Sequence, residues 1–460
     1  MEISGRKALV LGAGRSGIAS AKFLADRGAT VALHDKKPVE SWAEAALELK
    51  ASHKVGLIGG DLPSWLLDQI DLVVISPGVP RTTLPARYVD RKDGEVIGEV
   101  ELAYRFLKGS IVGITGSNGK TTTTALVGEI LKAAGFPTQV GGNIGTPLLD
   151  LVATSQDDGW TVVELSSFQL ETIVDFRCDV ALCLNVTPNH LDRYDSFLDY
   201  AAAKHRIFLN QRAEDTAILN ADNSVTAEWP NGLKANVVEF SVEKELKNGV
   251  FLRGRDLVSS LGGDEFVLTT RDGIFLRGLH NVENVLAAFA AAITCGVDVP
   301  TIRQAVAEFK GVEHRIEFVE EIDGIRFYND SKATSVDATA KALSALSEDA
   351  GQTVLILGGR GKNAPYAPLI PLIKRCVRRV IVIGEDADNI ESQLAGETEI
   401  ERVSSLEEAV ALGFSSAESG DSVLLAPACA SFDMFKSFEE RGTVFKRAVH
   451  SLASRRRTAN

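Results

Sequence analysis

The chain has 460 residues, 45% hydrophobic and 24% charged, with a formal net charge of −13. That length asks for several domains, and the composition excludes disorder, collagen and coiled coil. The negative balance argues against nonspecific nucleic-acid binding, which needs a basic face to release counterions. Apolar runs stay below the roughly 18 residues of a membrane span, and Val285 to Val297, the best candidate, alternates small and large residues as a buried helix does. The start, MEISGRKALVLGAG, leads into a strand without a signal-peptide layout. Cys178, Cys183, Cys295, Cys376 and Cys429 include no CxxC and read as buried thiols in a reducing cytoplasm.

In chain order, the predicted strands are KALVLGAG (7–14), TVALHD (30–35), DLVVIS (71–76), SIVGIT (110–115), WTVVEL (160–165), VALCLN (180–185), TVLILGG (353–359), VIVIGE (380–385) and SVLLAP (422–427). Most are continuous apolar runs, which fit parallel strands covered on both faces by crossover helices, so the fold class is α/β. Between about 230 and 277, VVEFSV, GVFLRG and FVLTT with RDG and GGDE turns read as short antiparallel strands. The tail SRRRTAN reads as frayed. Glycine-rich turns follow strands at GAGRSG (12–17), GSNGKTT (116–122) and GGRGK (358–362). Ligands bind beyond the carboxyl ends of strands in such sheets, so three turns suggest three domains, with joins near 98 and 310.

GAGRSG matches G-x-G-x-x-G after a strand, and Asp35 closes the next strand. That is a dinucleotide fingerprint, but its glycines would admit any pyrophosphate, including that of a UDP-sugar, to backbone N–H groups at a helix start. SPGVP (76–80) is a second tight turn in the same region. GSNGKTT lies between a strand and a helix whose apolar face is Leu126, Val127, Ile130, Leu131 and Ala134, with Gly135 stopping it. Its N–H groups suit a triphosphate, Lys120 can reach the β- and γ-phosphates, and Thr121 can offer its hydroxyl to Mg²⁺. The loop has two residues between Gly116 and Gly119 where the usual P-loop has four. Glu164, at a strand end, could hold Mg²⁺, and His190 and Asp192 follow another strand. Spacing alone makes Lys204 a plain helix-surface lysine.

Together with these turns, the runs GGNIG (141–145), ELSSFQL (164–170), NVTPNHLDRY (185–194), AAKHRI (202–207), HNVEN (280–284), EHRIE (313–317), NDSKAT (329–334) and PACASFDMFKSFEERG (427–442) span nearly the whole chain. In number, order and spacing they resemble the Mur ligases, the ATP-dependent amide-forming enzymes of peptidoglycan precursor synthesis. ELSSFQL, NDSKAT and the last run resemble the branch that adds D-glutamate. The resemblance implies a Rossmann-like UDP-binding domain over 1–98, a central P-loop-type ATPase domain with a parallel sheet over 99–310, and a C-terminal Rossmann-like amino-acid-binding domain over 311–460. It implies that ATP phosphorylates the carboxylate of UDP-N-acetylmuramoyl-L-alanine and that the amine of D-glutamate attacks the acyl phosphate. The implied setting is a cytoplasmic monomer, without nucleic acid or membrane span, that serves cell-wall synthesis, cell shape and division.

The same resemblance assigns roles by position. Gly116, Ser117, Asn118, Gly119, Lys120, Thr121 and Thr122 take the phosphates. Asn281 and Asn284 take adenine, and Arg315 and Asp330 make further nucleotide contacts. Thr121, Glu164, His190 and Lys204 hold two Mg²⁺ ions, with Lys204 carbamylated, against the reading from spacing. Lys120, Glu164, His190 and Lys204 form the catalytic set. Arg15, Ser16, Asp35, Lys37 and Ser76 meet uridine or pyrophosphate, and Asn143 meets the muramoyl group. Lys332, Thr334, Lys362, Ser431 and Phe438 read D-glutamate. Asn189 and Arg360 depart from the family pattern, which often carries acidic side chains there. Three alternatives stay open: another Mur or folylpolyglutamate synthase-like ligase, a dinucleotide-binding oxidoreductase built on GAGRSG, and a non-catalytic nucleotide switch.

Overall fold

The computed structural model describes residues 1–85, 88, 95–189, 193–276, 278–347, 351–361 and 364–459. Three sheets, mostly parallel, carry the chain, as the continuous apolar runs require. The first comprises β1 (Lys7–Leu11), β2 (Thr30–Asp35), β3 (Gly56–Gly59), β4 (Leu72–Ile75) and β5 (Glu95–Gly98), all parallel, in the order β3-β2-β1-β4-β5. The second comprises β6 (Ser110–Thr115), β7 (Thr138–Gly142), β8 (Trp160–Glu164), β9 (Val180–Cys183), β10 (Thr216–Asn220), β11 (Asn236–Ser241), β12 (Gly249–Arg253), β13 (Asp256–Ser259) and β14 (Phe266–Thr270). Its order is β14-β13-β12-β11-β10-β9-β6-β8-β7. The third comprises β15 (Glu317–Ile322), β16 (Ile325–Asn329), β17 (Thr353–Gly358), β18 (Val377–Ile383), β19 (Ile400–Arg402) and β20 (Ser422–Leu425), in the order β15-β16-β20-β17-β18-β19.

The chain falls into two compact units, Met1–Gly273 with Val282–Val306, and Ile274–Asn281 with Ala307–Asn460. In the first unit one apolar core runs through both sheets, taking Val10, Leu33 and Val74 from one and Ile111, Val163 and Ala181 from the other. The helix Glu99–Tyr104 links them. The buried Glu101 carboxylate there accepts the N–H groups of Val174, Asp175 and Phe176 at 2.8, 3.0 and 2.9 Å and Arg105 Nε at 2.9 Å. Those partners replace the water the charge gave up. In the second unit the strand period of two sorts β17 between two layers: Leu355 and Leu357 enter one core, Val354 and Ile356 the other.

Three sequence expectations need correction. VVEFSV forms β11, which pairs in parallel with both β10 and β12, and the antiparallel part is confined to β12, β13 and β14. The tail is not frayed. The helix Phe438–Ala459 runs through it, and Arg456 and Arg457 pair with Asp323 and Glu320 at 2.6 and 3.1 Å. Lys204 is no surface lysine, being 2% exposed. All five cysteines are buried and free, and among the described residues no helix is long and apolar enough to cross a membrane.

Candidate active site

In each sheet a glycine turn leaves a strand flanked on both sides by parallel neighbours, so candidate residues from several strands emerge at one end. Around β6 the register pairs Ile114 with Glu164 of β8 and Thr115 with Cys183 of β9, while Gly142 of β7 pairs with Glu164. The turn Gly116–Gly119, Asn143, Glu164 and Asn185 therefore share one edge. The turn needs its second glycine. Gly119 has φ 82°, and a Cβ there would lie 2.2 Å from Asn284 Oδ1. The helix Lys120–Ala133 begins at once, burying Thr121 and Thr122 in its first turn and Leu126, Val127, Ile130 and Leu131 against the sheet.

Polar groups fix the turn. Ser117 N–H donates to the Asn185 carbonyl at 2.9 Å, and Asn118 N–H to Asn185 Oδ1 at 2.9 Å. Ser117 Oγ lies 3.0 Å from the Tyr200 hydroxyl and accepts Thr187 N–H at 2.9 Å. Lys120 Nζ donates to the carbonyls of Gly116 and Ser117 at 2.9 and 3.1 Å. Lys204 Nζ, from the helix Phe197–His205, donates to the same Gly116 carbonyl at 2.8 Å and lies 4.8 Å from the centre of the Tyr200 ring. Burial drives the Lys204 ammonium down to about 7; Lys120 adds to that, while Cys183 and Glu164 oppose it. Two lysines therefore meet on one carbonyl, and Lys120 brings positive charge suited to a polyphosphate.

Facing them is an acidic counterpart. Asn143 Nδ2 donates to Glu164 Oε1 at 2.9 Å, while Glu164 Oε2 is buried without a hydrogen-bond partner among the described residues. An orphaned buried carboxylate oxygen beside a phosphate-type turn fits a hard divalent cation. His190 lies outside the described residues. Asn284 belongs to the helix Leu279–Thr294, where its Oδ1 accepts Thr123 Oγ1 at 3.4 Å, and Asn281 stands in the first turn of that helix. Asn185 and Tyr200 were missed from sequence. Asn185 stands two residues beyond β9, and Tyr200 stands one helical turn before Lys204, the two signals that could have marked them.

The first sheet gathers the uridine-type candidates. Leu11 of β1 pairs with His34 and with Ile75, so the GAGRSG turn, Asp35 and Ser76 emerge side by side. Asp35 Oδ2 accepts Ala13 N–H at 2.9 Å and Oδ1 accepts Lys37 N–H at 3.0 Å. Burial acts to raise this carboxyl, but those N–H groups and the Lys37 charge hold it below its ordinary value. Ser76 Oγ donates to the Gly12 carbonyl at 3.2 Å, and Arg15 and Ser16 open the helix Arg15–Asp26.

In the second unit, Asn329 of β16 pairs with Leu425 of β20, and Ile356 of β17 pairs with the same Leu425. Asp330, Lys332 and Thr334 therefore leave the sheet next to the start of the loop that carries Ser431, where Ala428 N–H donates to the Ala333 carbonyl at 2.9 Å, and Phe438 opens the following helix. Lys362 lies outside the described residues. Asp330 is buried; desolvation pushes it up to about 7 against the pull of Arg315, Ile316 N–H and Lys332. Arg315 stands between His314 and Ile316, both at positive φ (64° and 44°). Glu313, His314 and Glu317 are close enough to hold a metal, but Lys446 already pairs with both carboxylates and Asn329 Nδ2 bonds Glu317 Oε2 at 2.9 Å. That charge is met without an ion. Arg360 Nε meets Glu385 at 2.8 Å.

The pattern of the "Mur ligase MurD-like, N-terminal domain" matches residues 6–98, that of the "Mur ligase middle domain" 114–292, and that of the "Mur ligase, glutamate ligase domain" 314–429. The UDP-N-acetylmuramoylalanine--D-glutamate ligase of Solibacter usitatus is 48% identical over 98% of this chain and 99% of its own, and that of Koribacter versatilis 46% over 98% and 99%. The chain is a Mur ligase. MurF from Acinetobacter baumannii shares the fold of this Mur ligase with a TM-score of 0.61 at 16% identity, covering 96% of this chain and 93% of its own. MurC from Thermotoga maritima does so with a TM-score of 0.58 at 20% identity, covering 97% and 100%. As a Mur ligase it is an ATP-dependent enzyme that uses Mg²⁺, and its GAGRSG turn lies within the matched N-terminal domain rather than in an oxidoreductase.

Proposed function

We propose that this Mur ligase joins D-glutamate to UDP-N-acetylmuramoyl-L-alanine at the expense of ATP, in the synthesis of peptidoglycan precursors. The observation that carries this reading is near-full-length identity of 46–48% to ligases of that name. A cytoplasmic monomer with domains over 1–98, 99–310 and 311–460 completes the proposal.

The site supports a two-step mechanism. In the first step a carboxylate oxygen of the alanyl group attacks the γ-phosphorus and ADP leaves. Two anions must approach, and Lys120 with the N–H groups of Gly116, Gly119 and Thr122 would supply positive charge where it develops, while Ser117 and Asn118, whose N–H groups are taken by Asn185, shape the turn. Mg²⁺ would add charge at the phosphate oxygens. Thr121, Glu164, His190 and a Lys204 carbamate are the ligands proposed for two such ions. The Lys204 amine, brought down to about 7, is suited to attack CO₂, losing a proton to become an anionic oxygen donor. In the second step the D-glutamate amine attacks the acyl carbon, loses its proton, and phosphate departs. Lys332, Thr334, Lys362 and Ser431 would receive the D-glutamate carboxylates, with Phe438 as an apolar wall. Asn143 would orient the muramoyl arm. Asn281, Asn284, Arg315 and Asp330 would hold the nucleotide, and Arg15, Ser16, Asp35, Lys37 and Ser76 the UDP.

Phosphate release with ATP and UDP-N-acetylmuramoyl-L-alanine tests the proposal. D-Glutamate is expected to stimulate it, and L-glutamate, L-alanine, L-lysine and diaminopimelate are not. Stimulation by L-lysine or diaminopimelate instead would assign the chain to another step of the family.

A further inference from the structure

The run EERG (439–442) has no role in the reading above, yet it places a buried cation among the loops proposed to hold D-glutamate. Arg441 is buried, and its hydrogen-bond partners among the described residues are all neutral oxygens. Nε donates to Ser331 Oγ at 3.0 Å, Nη2 to the carbonyls of Ser331 and Cys429 at 2.9 and 3.1 Å, and Nη1 to the Gly358 carbonyl at 3.5 Å. Ser331 Oγ in turn donates to the Phe438 carbonyl at 2.8 Å. These contacts fall on the loops after β16 and β20, on the last residue of β17 and on the start of the last helix. Ser331 precedes Lys332, Gly358 ends β17, Cys429 lies two residues before Ser431, and Phe438 is itself a candidate.

A second observation concerns the loop after β20. Ala428, next to Cys429, has φ 58°, a left-handed conformation costly for a residue with a Cβ. Such strain persists only where the surroundings over-determine it, and Arg441 grips the adjacent carbonyl. Desolvation lowers the guanidinium to about 10, so it remains charged at neutral pH. Cys429 and the nearby Asp433 carboxylate oppose that shift, but the hydrogen bonds of this buried charge all go to neutral oxygens, and the planar fork can bind several of them at fixed angles.

We propose that Arg441 is a positioning residue for D-glutamate, holding the end of β17 and the loops after β16 and β20 in the register that lets Lys332, Thr334 and Ser431 converge on one amino acid. This rests on the assignment of those residues to the D-glutamate pocket. Lysine keeps the charge and loses the fork, so Arg441→Lys is expected to raise the KM for D-glutamate about tenfold, leaving the KM for ATP and for UDP-N-acetylmuramoyl-L-alanine within about twofold. Ser331→Ala, a milder change, is expected to raise the D-glutamate KM about threefold, and the double variant to be no worse than Arg441→Lys, because the two side chains act through one contact. If Arg441→Lys lowers melting temperature and active fraction with every KM unchanged, Arg441 is only a structural staple and the proposal falls. Should that variant not fold, an unchanged D-glutamate KM in Ser331→Ala overturns the proposal by itself. Lys332→Ala separates the two layers. If it raises the D-glutamate KM while the other variants do not, only the positioning role fails. If it leaves that KM unchanged, the pocket assignment fails and the proposal with it.

Discussion

The turn after β1 and the turn after β6 share a plan, each leaving a strand that lies between two parallel neighbours and running into a helix, with glycines where the chain is crowded. Their surroundings differ. After β1, the Asp35 carboxylate binds the Ala13 N–H and the turn is shaped by contacts with Ser76. After β6, two lysines sit on the carbonyl of Gly116 and a carboxylate oxygen is left without a partner among the described residues. Glycine geometry alone thus marks room for phosphate. The charges brought from distant strands and helices decide whether the turn can merely seat a diphosphate or also promote transfer of a phosphoryl group.

The comparison breaks most sharply at Lys120. Lys120→Ala is expected to lower turnover by about 10³-fold or more in a phosphate-release assay with all reactants present. Native turnover in that variant would remove the polyphosphate site from the β6 turn. Lys204→Ala comes next, with an expected loss of about 10²-fold that bicarbonate does not restore and a small carboxylic acid restores in part, because the missing group is an anionic oxygen donor. Full activity would leave Lys204 as packing alone.

Two glycine substitutions then separate the turns. A Cβ on Gly17 would lie 1.7 Å from the Gly12 carbonyl oxygen, and one on Gly119 2.2 Å from Asn284 Oδ1. Gly17→Ala is expected to raise the KM for the UDP substrate about tenfold with little effect on the KM for ATP, and Gly119→Ala to do the reverse. Equal effects on both substrates would show that the turns do not bind separate ligands.

The smallest effect concerns Glu99, on the helix that links the two sheets. Its Oε1 accepts Leu149 N–H at 2.9 Å and its Oε2 is buried without a partner among the described residues. Burial pushes its pKa up to about 7, Asp150 adds to that, and the N–H groups of Leu149 and Leu148 oppose it. Because the folded value lies above the unfolded one, its contribution to stability is complete below about pH 4.5 and is lost as pH rises through about 7. Glu99→Gln cannot ionise. By thermal or urea unfolding it is expected to exceed the parent by about 1–3 kcal/mol at pH 8 and to lose that advantage as the pH falls towards 4.5. A pH-independent difference would refute the burial argument.

The sequence by itself determined the α/β class, the strands that carry the glycine turns, and the burial of the cysteines, because continuous apolar runs and glycine positions are local signals. It also placed Lys120 in a glycine turn and Glu164 at a strand end, where their chemistry could be read. Tertiary structure alone decided the rest. Lys204 has the local pattern of a surface lysine, and only the folded sheet brings the Gly116 carbonyl to its ammonium. The parallel pairing of β11 depends on β10 and β12, and the helical tail is held by Asp323 and Glu320 far earlier in the chain. Spacing records which residues can share a face of one element; which charge meets which carbonyl across elements depends on contacts between segments distant in the chain.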